Sequence, residues 1–203
     1  MTYTRGVGQE QNHSWITHEP SVQKLLDIAR DHLKADQFAE ASSVLMPLIA
    51  DGNPEALYLG ACYSWGDETA EAFDRRCLDW LTKSAMQEYP PALFVLAVCY
   101  NTGDLVSVDK AKAAQLFKRA AELKHAASQY THAVDLLYGT SGIEKNELMG
   151  FKYLLESKEA KFQGAFELLA RFYEKGEFGL SIDPQKAASL RAEADGDDVI
   201  RWY

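Results

Sequence analysis

Residues 92–103 read ALFVLAVCYNTG, and residues 165–176 read AFELLARFYEKG. Ala92, Leu96, Ala97, Tyr100 and Gly103 of the first stretch fall at offsets 0, 4, 5, 8 and 11, and Ala165, Leu169, Ala170, Tyr173 and Gly176 repeat those offsets in the second. Residues four and eight apart lie on one face of an α-helix, and a small residue at offset 5 lets a neighbouring helix come close. Glycine at offset 11 suits the helix end, where a left-handed residue is needed. Each stretch is therefore read as one packed helix with a programmed stop.

Two further copies emerge on moving outward. Residues 55–66 supply Glu55, Leu59, Gly60, Tyr63 and Gly66; residues 128–139 supply Ser128, His132, Ala133, Leu136 and Gly139. The four starts at 55, 92, 128 and 165 are separated by 37, 36 and 37 residues, a near-constant period. A period of this length marks a repeat architecture. A second helix completes each unit. Lys112, Ala113, Leu116, Phe117 and Ala120 follow Asp109, and Lys186, Ala187, Leu190 and Ala194 follow Asp183. Both aspartates suit an N-cap, and Pro184 suits the first helical position. The matching positions elsewhere are Arg76, Cys77, Trp80, Leu81, Ser84 and Ala85, then Met149, Gly150, Tyr153, Leu154, Ser157 and Lys158. Residues 21–53 read as one more helix pair, giving about ten helices and no strand, because sustained period-two alternation is missing.

The pattern A-x-x-x-L-G-x-x-Y-x-x-G, followed by D-x-x-K-A on the next helix, resembles the Sel-one-like repeat, a relative of the tetratricopeptide repeat. The resemblance covers residues 54–195. The third copy departs most, with His132 for leucine and Leu136 for tyrosine, and the first carries Asp74, Arg75, Arg76 and Cys77 in place of the Asp and Lys-Ala signature. It implies an all-α fold, a right-handed superhelical solenoid of antiparallel helix pairs, acting as a protein-binding scaffold or adaptor. The expected layout is an N-terminal arm at 1–20 and one repeat domain at 21–203. Its repeats run at about 21–53, 54–90, 91–126, 127–163 and 164–195, with a C-terminal cap at 196–203.

In such a stack the groove lined by the first helix of each pair is the default binding surface. By analogy with tetratricopeptide relatives the groove positions are Leu57, Ala61, Ser64 and Trp65; Phe94, Val98, Asn101 and Thr102; Tyr130, Val134, Leu137 and Tyr138; and Glu167, Arg171, Glu174 and Lys175. Aromatic and arginine side chains carry much of the energy of protein interfaces. Trp65, Phe94, Asn101, Tyr130, Tyr138 and Arg171 are accordingly the candidate partner-binding residues. Each aromatic has the competing reading of repeat packing, and Arg171 that of pairing with Glu167 or Glu174 on its own helix.

The remaining features narrow the function classes. With 21 Lys and Arg against 30 Asp and Glu, the net charge is −9, a poor match to nucleic acid. No window approaches the roughly 18 apolar residues of a membrane helix and no signal peptide is read, so a cytoplasmic location is expected. Three cysteines without C-x-x-C spacing indicate neither disulfide framework nor zinc ribbon; Cys62 and Cys99 share one offset, the mark of a structural slot. His125 and His132 are seven apart, without further ligands at metal spacing. No catalytic motif is found, so no enzyme activity, metal or cofactor is expected. The acidic loop 66–71 is read as a solvated turn. Trp15 and Ile16, and Val199, Ile200, Trp202 and Tyr203, are read as caps on the stack, with self-association through these terminal segments as the rival. An immunity or inhibitor protein, whose charge steers it to a basic toxin, is the second functional reading, and a hydrolase the third.

Overall fold

The computed structural model describes residues 15–66, 68–196 and 199–200. These residues form ten α-helices, the all-α repeat of helix pairs expected from the sequence. The chain divides into two compact units at the 109/110 boundary, and each is taken by itself.

The first unit holds α1 (Pro20–Lys34), α2 (Phe38–Ala50), α3 (Pro54–Ala61), α4 (Ala70–Met86) and α5 (Pro90–Thr102). Consecutive helices pack on one another through α1/α2, α2/α3, α3/α4 and α4/α5. Apolar residues at three- and four-residue spacing line the seams: Leu26, Ala29 and Leu33 on α1, Ala41, Leu45 and Leu48 on α2, Phe73, Cys77 and Leu81 on α4. Gly60 is the small residue at offset 5. A Cβ there would come within 2.7 Å of both Ile49 Cδ1 and Trp80 Cζ3, so side chains of α2 and α4 use the space it leaves.

The second unit holds α6 (Lys110–Glu122), α7 (Ala126–Tyr138), α8 (Glu147–Glu159), α9 (Gln163–Lys175), a 3₁₀ turn (Glu177–Gly179) and α10 (Pro184–Ala194). In the α7/α8 seam a Cβ on Gly150 would sit 3.2 Å from the carbonyl oxygen of Ala133, the offset-5 residue of the third copy. Small residues on both helices let the backbones approach.

Two devices recur in both units. Asn53, Asn146 and Asp183 cap α3, α8 and α10 by accepting from the N–H three residues on. Ser84 and Ser157, at matching positions of two second helices, donate from fully buried hydroxyls to the carbonyls of Pro54 and Ala126 at the start of the preceding first helix. Each hydroxyl satisfies an interior carbonyl and pins a helix pair.

The programmed stop holds for three copies of four. Gly103, Gly139 and Gly176 follow α5, α7 and α9 with φ of 84°, 70° and 65°. In the first copy α3 ends at Ala61, so the expected helical positions of Ser64 and Trp65 lie in a loop. Arg76 is the cause. Its guanidinium donates to the carbonyls of Gly60 at 2.7 Å and Tyr63 at 2.8 Å, and to both oxygens of Glu68 at 2.6 and 3.0 Å. Four bonds to one rigid fork wrap residues 60–68 around the start of α4 and outweigh continuing the helix. The solvated-turn reading of 66–71 fits residues 66 and 69–71, which are exposed, but not Glu68, whose side chain is 14% exposed and ion-paired.

The terminal segments are partly described. Trp15 meets Tyr89 edge-on at 6.0 Å in the first unit. In the second, Val199 is buried, and Ile200 bridges to Phe162, donating to Lys161 O at 2.8 Å and accepting from Gln163 N–H at 2.9 Å. Trp202, Tyr203 and residues 1–14 lie outside the described residues.

Candidate functional site: the cleft of the second unit

Tyr130, Tyr138 and Arg171 come together in the second unit. Tyr130 projects from α7 and rests against Phe162, ring centroids 5.4 Å apart. Gly164 permits this: a Cβ there would lie 2.9 Å from Phe162 Cε1 and 3.3 Å from Tyr130 Cε2. Beside Tyr130 opens a cleft of about 430 Å³ that Gly164, Glu167 and Arg171 line from α9, and Arg191 and Asp195 from the end of α10. That volume falls in the range of ligand-sized clefts, roughly 300–1,000 Å³.

Arg171, which lines the cleft, is in turn bonded to Tyr138. A guanidinium nitrogen of Arg171 donates to the Tyr138 hydroxyl, and the same nitrogen is 3.5 Å from the Glu177 carboxylate. Arg171 thus reaches to the 3₁₀ turn rather than along its own helix, and Glu174, its expected neighbour, is taken bidentately by Arg191. Tyr138 stands edge-on to Phe178 at 5.5 Å, which fixes the ring while leaving it 42% exposed. The Nε of Arg171 is shielded and without a hydrogen-bond partner. Burial raises the Tyr138 phenol above its usual range, with Arg171 pulling back and Glu177 adding to the rise. Burial also raises Tyr130, against Arg171 and with Glu167. Both phenols are therefore neutral near pH 7, able to donate and to accept. Glu174 is held below the usual carboxylate range by its hydrogen bonds from Arg191.

The other three candidates belong to the first unit. Phe94 and Asn101, seven residues apart on α5, are half-buried. Trp65 is a loop residue with a structural duty: its indole donates to Gly60 O at 3.1 Å and its N–H to Glu68 at 2.7 Å, with Arg76 5.9 Å from its ring. Replacing Trp65 therefore disturbs the Arg76 clamp, so it is a poor probe of binding alone. Leu57, Ala61 and Leu137, assigned to groove positions, are core residues at 3%, 0% and 0% exposure, because adjoining helices close over them.

The two histidines are also separated in role. His125 caps α7, its Nδ1 accepting from Ser128 N–H, and burial lowers its pKa to about 3. His132 packs edge-on to Tyr153 at 5.0 Å. Among the described residues no cluster of three His, Cys, Asp or Glu is placed to hold a metal ion, and no helix is long and apolar enough to cross a membrane. Cys62, Cys77 and Cys99 are buried.

The repeat signature is matched by the Sel1 repeat model at residues 56–89, 90–125, 126–161 and 167–190, most of the chain. The chain belongs to the Sel1 repeat family. It is 33% identical over 115 residues to chitin synthase regulatory factor 2 of Schizosaccharomyces pombe, a match covering 54% of this chain and 22% of that protein. With chitin synthase regulatory factor 3 of the same yeast it shares 28% identity over 142 residues, covering 68% and 15%. The chain thus spans less than a quarter of either relative. Among solved structures, a Sel1 repeat protein from Oxalobacter formigenes superposes with a TM-score of 0.68 at 21% identity, over 83% of this chain and 68% of that one, a likeness of fold.

Proposed function

We propose that this Sel1 repeat chain is a binding module without chemistry of its own, which holds a segment of a partner protein in the cleft of its second unit and regulates that partner by doing so. The observation that carries the reading is the state of Arg171. Its side chain is 41% exposed at the cleft, where it donates to the Tyr138 phenol, stands 3.5 Å from Glu177 and lies 5.4 Å from the Phe172 ring centre. A guanidinium so positioned has donor capacity left for an incoming carboxylate, and Tyr130 and Tyr138 offer flat amphipathic surface beside it. The segment we assign is one that presents an acidic side chain to Arg171. Two relatives that carry the name of chitin synthase regulatory factors support a regulatory role through protein contact. The proposal places the module inside the cell.

Site-specific photocrosslinking in cells tests it. Tyr138→p-benzoylphenylalanine should trap a defined partner, and Arg171→Ala in the same chain should abolish the adduct. Leu148, 83% exposed on α8, is the control position. Equal adducts from positions 138 and 148, insensitive to Arg171→Ala, would remove the cleft from consideration.

A further inference from the structure

The N-cap positions of α3, α5, α7 and α9 are held by Asn53, Tyr89, His125 and Phe162. Asn53 and His125 cap their helices, accepting from the N–H of Ala56 and Ser128. Tyr89 and Phe162 bring no capping side chain. At α5 little is lost, because Pro90 at the first helical position has no N–H to satisfy. At α9 that position holds Gln163, whose N–H is one of the donors a helix start leaves over. Its acceptor comes from far along the chain: the carbonyl of Ile200 takes it at 2.9 Å, and the Ile200 N–H donates to Lys161 O at 2.8 Å. The two bonds straddle Phe162 as a parallel bridge, and Val199 beside them is 1% exposed. The bridge bears on the cleft through one ring. Phe162 is itself 1% exposed and carries Tyr130, centroids 5.4 Å apart, with Gly164 leaving room for both. Tyr130 is half-buried and lines the cleft together with Asp195, five residues before Ile200.

We infer that Val199 and Ile200 form a clip that positions the cleft wall: pairing with the backbone on both sides of Phe162 fixes that ring, and the ring in turn fixes Tyr130. This rests on the cleft reading above and adds its control. Val199 and Ile200 do not line the cleft, so both act as positioning residues. One buried valine and two backbone hydrogen bonds make a small contact, of the kind that opens locally while the rest of a domain stays folded. The wall is ordered when the clip is shut and loosened when it opens.

Gln163→Pro weakens the clip at one atom. It gives α9 the residue that begins α3 and α5, suits the helix start, and takes away only the donor to Ile200. The full chain should melt no lower, while the Ile200 amide exchanges with solvent about fivefold faster, the worth of one backbone hydrogen bond. Val199→Asp should release the clip altogether. In both variants the NMR signals of the Tyr130 ring should shift, further in Val199→Asp, and those of Tyr153, packed on His132, should stay. Val199→Ile should keep the native signals. Photocrosslinking from position 138 should fall about fivefold in Val199→Asp, the cost of ordering one loosened ring again. Tyr130 signals unmoved by the loss of Ile200 protection, an Ile200 amide that exchanges at the free-chain rate in the native protein, or crosslinking undiminished once Tyr130 has moved would each overturn the inference. If the native chain gives no Arg171-dependent adduct, the proposed function fails instead, and the clip is still judged by Tyr130.

Discussion

The two units treat their charged groups differently. In the first, ions are enclosed and paired. Glu55, 5% exposed, accepts from His18 Nε2 at 3.0 Å and pairs with Arg30, while Arg76 closes four hydrogen bonds on residues 60–68. In the second, the arginines stand at a rim, with Arg171 41% and Arg191 48% exposed. An enclosed and paired ion is tied to folding, because removing one partner strands the other away from water. A rim ion adds little to stability and keeps its capacity for another molecule. The contrast separates residues that hold the fold from residues available to a partner.

The strongest way to break this division is to insert a charge where both units should be equally intolerant. Ala97 and Ala133 occupy the same offset in different units and both are fully buried. Ala97→Asp and Ala133→Asp should each cost about 4 kcal/mol, the upper range for an unpaired buried charge. Urea denaturation measures this. A loss below about 1 kcal/mol at either position would mean that the small-residue slot is not a packing requirement there.

Next in size is the arginine pair. Arg76→Ala should cost about 3 kcal/mol, because Glu68 and two carbonyls lose their donor. Arg171→Ala should cost no more than about 0.5 kcal/mol, as expected of a half-exposed pair. Equal losses would erase the distinction between the units.

The pH dependence sharpens the same comparison. Burial pushes the Glu68 carboxyl up, but hydrogen bonds and charge from Arg76 and the N–H of Trp65 outweigh it, so its pKa lies below the ordinary 4.5. A carboxyl depressed in the folded state contributes stability that is present above the unfolded value and lost as pH falls through the folded one. Melting temperature should therefore drop as pH falls below about 4.5, and Arg76→Ala should flatten part of that drop. Arg171→Ala should leave the profile unchanged.

The helix pairs were legible because their signal is repeated. Apolar residues four and eight apart, a small residue between them and a terminal glycine recur at a 36–37-residue period, and packing demands each of them. Cap residues Asp183 and Pro184 were legible for a local reason, since the chemistry of a helix start needs only its own neighbours. The cleft was only half legible. Tyr130, Tyr138 and Arg171 were found because a groove position follows from register, yet that register failed at Trp65, where α3 stops early. The sign was present in Asp74, Arg75, Arg76 and Cys77, which break the second-helix pattern. What it meant required knowing that Arg76 reaches back 16 residues to Gly60. Likewise Val199 and Ile200 were visible as an apolar cap, but the backbone bridge that joins Ile200 to Phe162 is a fact of three dimensions.

The smallest predicted effect concerns how Arg171 is held. Tyr138→Phe removes one hydroxyl from a half-exposed ring that stays packed on Phe178, so unfolding free energy should move by less than about 0.5 kcal/mol. The guanidinium is then left with the 3.5 Å contact to Glu177. It regains rotamer freedom that a bound carboxylate must freeze again, a cost of about 0.5–1 kcal/mol, or roughly two- to fivefold in affinity. If the hydroxyl instead competes with the partner for the guanidinium, Tyr138→Phe will tighten binding. The direction of that change, measured with the partner trapped at position 138, distinguishes a rim that is preorganised for its ligand from one that is merely occupied until the ligand arrives.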